Sequence, residues 1–188
     1  MAIKIYIDQG HNPSAPNTGA EGNGYREQDI TYEVGQRLAE LLRANGNFEV
    51  RLSRPTPQTS LGTSNASSLA ARVNDANSWG ADYFISIHAN ASTVSSVSGT
   101  EVLVYSRPSI AANLAQDILV GVVEATGLPS RGVKLRPGLY VLRKTQMPAV
   151  LVELGFISNP YDASLMANNP SLFARGIYNG ILDYLNLS

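Results

Sequence analysis

The chain contains no cysteine, which removes disulfides, thiolate zinc sites and cysteine nucleophiles together. Histidine is almost as scarce: His11 and His88 are the only two, so each can be weighed individually. No apolar run approaches the ~20 residues that cross a bilayer. Nor does the start resemble a signal peptide, since Ile3-Lys4-Ile5-Tyr6-Ile7 leads straight into a strand. Export would then use another route, or a segment outside this sequence. A formal net charge of -1 supplies no basic field for nucleic acid, and no nucleic-acid partner is expected. Internal repeats and low-complexity linkers are missing too. One domain over residues 1–188 is the economical reading, long enough to bury roughly 70% of the surface its unfolded chain exposes. A monomer is expected.

What is present alternates strands with helices. Six short runs read as strands: 3–7, 48–53, 82–90, 100–105, 139–142 and 149–153. Residues 131–137, between the fourth and fifth, read as irregular and basic. A helix starts near Glu27, carries Ile30, Val34, Leu38, Leu41 and Leu42 at helical spacing, and stops at Asn45-Gly46. A second, capped by Ser67 or Ser68, carries Leu69, Val73 and Ala76 as far as Gly80. Ser109 caps a third with Ile110, Leu114, Ile118, Leu119 and Val122. A short helix follows Pro160, and a longer one presents Leu172, Phe173, Ile177, Ile181 and Leu185. The order β-α-β-α-β-β-α-β-β-α predicts a single α/β domain, a largely parallel six-stranded sheet flanked by helices on both faces.

The chemistry-bearing residues gather where such sheets put their sites, at the carboxyl ends of strands. His11 follows the first strand inside Asp8-Gln9-Gly10-His11-Asn12-Pro13, and His88 closes the third. Glu153 interrupts the apolar run Ala149-Val150-Leu151-Val152 and is followed by Leu154-Gly155-Phe156. A carboxylate there is either a structural group paired with a cation or an ionisable group held for proton chemistry. Two imidazoles suit zinc, whose catalytic sites take three protein ligands and keep one position open. With no further His or Cys, the third donor has to be a carboxylate. Glu21 and Glu27 both follow the His11 loop. Glu27, fixed at a helix start, is better placed than Glu21 among its glycines.

DQGHN, GYREQDIT, FISIHAN and LYVLRKTQMPAVLVELGFISNPYD together resemble the type-3 family of zinc-dependent N-acetylmuramoyl-L-alanine amidases, from Ile5 to about Tyr184. The resemblance implies one catalytic zinc ion held by His11, Glu27 and His88, with Glu153 as the catalytic glutamate that activates water. It implies peptidoglycan as the substrate, cut between the lactyl group of muramic acid and L-alanine, and action at the bacterial cell wall. Gln9 and Asn12-Pro13 depart from the family's usual proline and Gly-Gly-like residues, so this loop should have its own shape. Two other readings stand beside it: a zinc peptidase cutting a stem-peptide bond, and a silent wall-binding module, which would have no need of Glu153. Around the site, Asp8 can orient an imidazole or simply form the turn. Arg131 and Lys134 can meet peptide carboxylates or be solvated. Asn90 and Asn159 suit substrate or turn roles, Tyr140 suits the core, and Glu101 reads as structural. No substrate-binding residue is assigned.

Overall fold

The computed structural model describes residues 2–188. In chain order the elements are β1 (Ile3–Gln9), β2 (Glu21–Gly22), β3 (Tyr25–Arg26), α1 (Glu27–Asn45), β4 (Phe48–Leu52), α2 (Asn65–Trp79), β5 (Tyr83–Asn90), β6 (Thr100–Val104), α3 (Ile110–Thr126), β7 (Ser130–Leu135), α4 (Tyr140–Lys144), β8 (Ala149–Phe156), α5 (Pro160–Asn168) and α6 (Pro170–Leu185). Six strands form one sheet in the order β4-β1-β5-β8-β6-β7. Every neighbouring pair is parallel except β6 against β8. The expected α/β architecture and six-stranded sheet are present.

Both faces of the sheet are covered, and the strands divide their side chains accordingly. Ile5, Ile7, Ile85, Ile87, Val150 and Val152 pack with Val34 and Leu38 of α1, Ile118 of α3 and Ile177 of α6. Tyr6, Phe84, Leu103 and Leu151, on the opposite face, pack with Val73 and Ala76 of α2 and with Val141 and Leu142 of α4. Tyr6 stacks on Phe84 with centroids 5.5 Å apart. The α3–α6 contact is backbone against backbone. A Cβ on Gly176 would come within 2.6 Å of Val122 Cα, so glycine is required there.

Two expectations are corrected. Residues 139–142 form no strand: Tyr140–Lys144 is a short helix, and the fifth strand of the six-stranded sheet in chain order is Ser130–Leu135, overlapping the stretch read as irregular. A four-residue apolar run fits a strand or a turn of helix equally well. Here Pro137-Gly138 turns the chain back, and Val141 and Leu142 bury themselves on the sheet instead of joining it. Ser130–Leu135 lies at the sheet edge, half-buried and without apolar alternation, so it carries no strand signal of its own. The second helix also starts earlier. Ser64 is the N-cap of α2, and Ser67 completes the capping box from within the first turn.

Candidate active site

The site lies beyond the carboxyl end of β1 and beside those of β5 and β8. His88 and Glu153 are register partners on β5 and β8, and Glu101 on β6 faces Glu153 from the other side. The three side chains therefore form a row across one face of the sheet. Glu153 is not the last residue of its strand as expected, since β8 continues to Phe156. Past His88 the register between β5 and β8 shifts before Asn90 pairs with Phe156, an irregularity of the ladder beside the site.

His11 reaches the same place from the loop after β1. Its backbone is left-handed, with φ 68°, a conformation uncommon for a residue with a side chain. Buried Arg72 of α2 holds it there. One guanidinium nitrogen donates to Asp8 Oδ1 (2.6 Å) and Gln9 O (2.7 Å), the other to His11 O (2.7 Å) and Asn12 Oδ1 (3.2 Å). Asn12, fully buried, also donates to Pro16 O (2.7 Å) and Leu61 O (2.9 Å). Gln9 accepts from Arg54 N (2.9 Å) and packs where only a glycine, Gly35, leaves room. The residues that depart from the usual family loop are thus the ones that tie it down. Asp8 touches no imidazole. It accepts from Arg72 and from Ser86 Oγ (2.7 Å), and although burial opposes its charge, these partners hold its carboxyl below the usual range.

Glu27 joins the two histidines. Its Oε1 lies 3.1 Å from His11 Nε2 and 2.9 Å from His88 Nδ1, and accepts from Ala89 N at 3.0 Å. Its Oε2 accepts from Ala20 N at 2.9 Å. Burial alone would raise the Glu27 pKa, but the hydrogen bonds from His11 and His88 pull it far below the ordinary carboxylate range. Burial disfavours a charged His88, yet the adjoining Glu27, with Glu153 and Asp8 behind it, leaves its pKa raised. One ligand atom from each of His11, Glu27 and His88 lies within 4.8 Å of the others, so these residues could hold a metal ion. The donor set fits zinc: two imidazoles and a carboxylate. The convergence of two imidazole nitrogens on one carboxylate oxygen is what a shared cation would relieve. Glu21 is elsewhere, its side chain 69% exposed and paired loosely with Arg26.

Glu153 completes a cleft of about 510 Å³ that also takes in His11, Glu27, His88, Glu101 and Arg136. Its Oε2 is buried with no hydrogen-bond partner. Burial, reinforced by the charges of Glu27 and Glu101 and opposed by His88 and Arg136, pushes its carboxyl up to about 7. Two carboxylates directly opposite in a β ladder repel. Glu101 is the one compensated, by Lys134 Nζ, by Arg131 Nε (3.4 Å) and by Asn90 Nδ2 (3.1 Å). Arg131, Lys134 and Asn90 accordingly serve Glu101, and Asn159 caps α5. Tyr140 packs at the edge of the core.

Residues 5–183 match the family model described as N-acetylmuramoyl-L-alanine amidase. The chain belongs to this amidase family. It is 38% identical to the N-acetylmuramoyl-L-alanine amidase CwlM of Bacillus licheniformis over 190 residues, covering 99% of this chain and 70% of that protein. It is 35% identical to the sporulation-specific N-acetylmuramoyl-L-alanine amidase of Bacillus subtilis, covering 98% and 69%. The solved catalytic domain of CwlV, an N-acetylmuramoyl-L-alanine amidase from Paenibacillus polymyxa, superposes with a TM-score of 0.86 at 32% identity, covering 99% of each chain. The amidase family thus accounts for the whole described fold. Arg72 is the residue that sequence reasoning passed over. Its signal was available: Ser68, Arg72 and Ala76 recur every fourth residue on the face of α2 that carries Val73, so an arginine there had to find buried partners.

Proposed function

We propose that this amidase domain hydrolyses the amide between the lactyl group of N-acetylmuramic acid and L-alanine in peptidoglycan, at the bacterial cell wall, with one zinc ion held by His11, Glu27 and His88. When bound there, zinc supplies Lewis-acid chemistry, polarising the scissile carbonyl and making a water acidic enough to be deprotonated near neutral pH. Glu153 takes the proton from the attacking water. It then returns that proton to the nitrogen of L-alanine as the C–N bond breaks, one carboxyl acting as base and then as acid. Burial raises this carboxyl above the ordinary carboxylate range, which favours its taking up the proton, and a bound cation would draw it back down. Glu27, held ionised by its two histidines, is suited to be a ligand and unsuited to carry protons. The leaving product has a free L-alanine amino group, and the glycan keeps its lactyl carboxylate.

The observation that carries this reading is the unpartnered Glu153 carboxyl oxygen in the same cleft as the three-donor cluster. A silent wall-binding module has no use for it. Digestion of purified peptidoglycan should release amino groups that end-group analysis identifies as L-alanine. Chelation should abolish the release, and zinc should restore it. New reducing ends, or amino termini of other residues, would point instead to a glycosidase or to a stem-peptide peptidase.

A further inference from the structure

The cleft that holds Glu153 is lined by the two histidines, Asn90, three glutamates and apolar groups, and by a single Lys or Arg, which is Arg136. It sits where the chain leaves β7. Its amide donates to Val104 O (2.9 Å) and its carbonyl accepts from Leu139 N (3.1 Å), so the rim turn is tied to the sheet on one side and to the approach to α4 on the other. The two other cations on this stretch, Arg131 and Lys134, are engaged by Glu101. Arg136 has no carboxylate partner among the described residues. Its Nη1 reaches only the carbonyl of Leu135 next to it (2.9 Å), which leaves the rest of the guanidinium fork open.

A guanidinium fork matches a carboxylate in shape and charge. Glu27, Glu101 and Glu153 line the cleft, and Glu101 already has Lys134 and Arg131 as partners, so Arg136 is the lining guanidinium left to meet an anionic ligand group. Arg136 and Glu153 line the same cleft of about 510 Å³, so a substrate held with its scissile amide beside Glu153 has Arg136 in the wall of the same cleft. We infer that Arg136 is a specificity residue that binds a stem-peptide carboxylate close to the scissile amide. The domain then prefers stems whose acidic second residue carries a free carboxylate over stems in which that carboxylate is amidated. The inference rests on the amidase reading above and adds the charge state of the substrate to it. An amide keeps an acceptor oxygen but loses the charge. At a solvent-exposed rim the charge-assisted part is worth about a threefold difference in binding.

The test compares N-acetylmuramyl-L-alanyl-D-isoglutamyl-L-lysine with its D-isoglutaminyl counterpart as substrates for the zinc-loaded wild type, Arg136→Gln and Arg136→Lys. The wild type should show about threefold higher kcat/KM on the acidic peptide. Arg136→Gln should raise KM for that peptide by about threefold with kcat little changed, because the contact is made equally in the ground and transition states. The amidated peptide should be indifferent to the change, and Arg136→Lys should keep part of the preference. Equal KM values for wild type and Arg136→Gln on the acidic peptide would overturn the inference. So would an equal loss on both peptides, which would mean that Arg136 acts on Glu153 and not on the substrate. A wild type that cuts both peptides without preference sinks the specificity and leaves the amidase reading standing. A wild type that cuts neither peptide and releases no L-alanine termini from peptidoglycan sinks both. Arg136 is exposed, and unchanged thermal midpoints in the variants would confirm that folding is not what the KM values report.

Discussion

Glu27 and Glu153 share one cleft and are pushed in opposite directions, Glu27 far down by its two histidines and Glu153 up to about 7 by burial. Carboxylates driven apart in this way divide the work of ligand and base. Glu27→Ala should therefore weaken zinc binding strongly, measured by metal content after dialysis, and activity should fall with it. Glu153→Gln should keep its zinc while turnover drops by about 100- to 10,000-fold. Glu21→Ala is the control. Its exposed side chain lies outside the cluster, so metal and most activity should persist. Zinc loss in Glu21→Ala but not in Glu27→Ala would move the third ligand, and near-normal turnover in Glu153→Gln would return Glu153 to a structural role.

The same shift fixes a pH dependence. In metal-free protein Glu153 should titrate near 7, against an ordinary value of 4.5, and a nearby cation should lower it, because positive charge favours the carboxylate. Carboxyl 13C shifts with and without zinc would read both values. A raised carboxyl pKa means that the folded state binds the proton more tightly, so the contribution of Glu153 to stability declines as pH rises from about 4.5 to 7. Denaturant midpoints of metal-free Glu153→Gln should lack that decline. A Glu153 that titrates near 4.5 without metal would remove the basis of this prediction.

At the scale of elements, α2 reaches through Arg72 to the loop that presents His11. The Arg72–Asp8 pair is fully buried, and the same guanidinium fixes three further groups on the residue 9–12 segment. Removing one partner of such a pair strands the other charge in the interior. Arg72→Met should destabilise the fold by about 3–5 kcal/mol in urea unfolding. Adding Asp8→Asn should recover part of the loss, since the stranded charge is then gone. A loss under about 1 kcal/mol in the single variant would mean that the loop is held by Asn12 and Gln9 without it. Elements are also where sequence pattern and structure part company. The helices on α1, α3 and α6 positions were legible from their apolar spacing, but Leu139–Leu142 and Ser130–Leu135 exchanged roles. Neither segment is long enough to state its own period, and the free edge of β6 decided which of them paired.

At the scale of the whole molecule, the candidate metal site draws on the loop after β1, the start of α1 and β5, segments far apart in sequence. An ion bound across them stabilises the folded state by RT ln(1 + [L]/Kd), about 2.7 kcal/mol at a hundredfold excess over Kd. Thermal scans should show the midpoint rising with zinc and falling on chelation. Glu27→Ala should shrink that response and Glu153→Gln should preserve it. An unchanged midpoint at saturating zinc would remove the metal from the site.

Fold class, the placement of His11 and His88 at strand ends and the candidacy of Glu153 were legible in the residues alone, and the family resemblance pointed to Glu27. The first of these follow from local signals, apolar periodicity and turn residues at strand ends, and the roles of the two glutamates from the resemblance. Tertiary packing brought Glu27, and not Glu21, against the two histidines, made Glu101 the compensated neighbour of Glu153, and placed Arg72 under the His11 loop. It also left Arg136 as the one cation lining the cleft without a carboxylate partner. These are facts about distance between segments remote in the chain. Charge, burial and pKa depend on such distances, and no local pattern of residues encodes them.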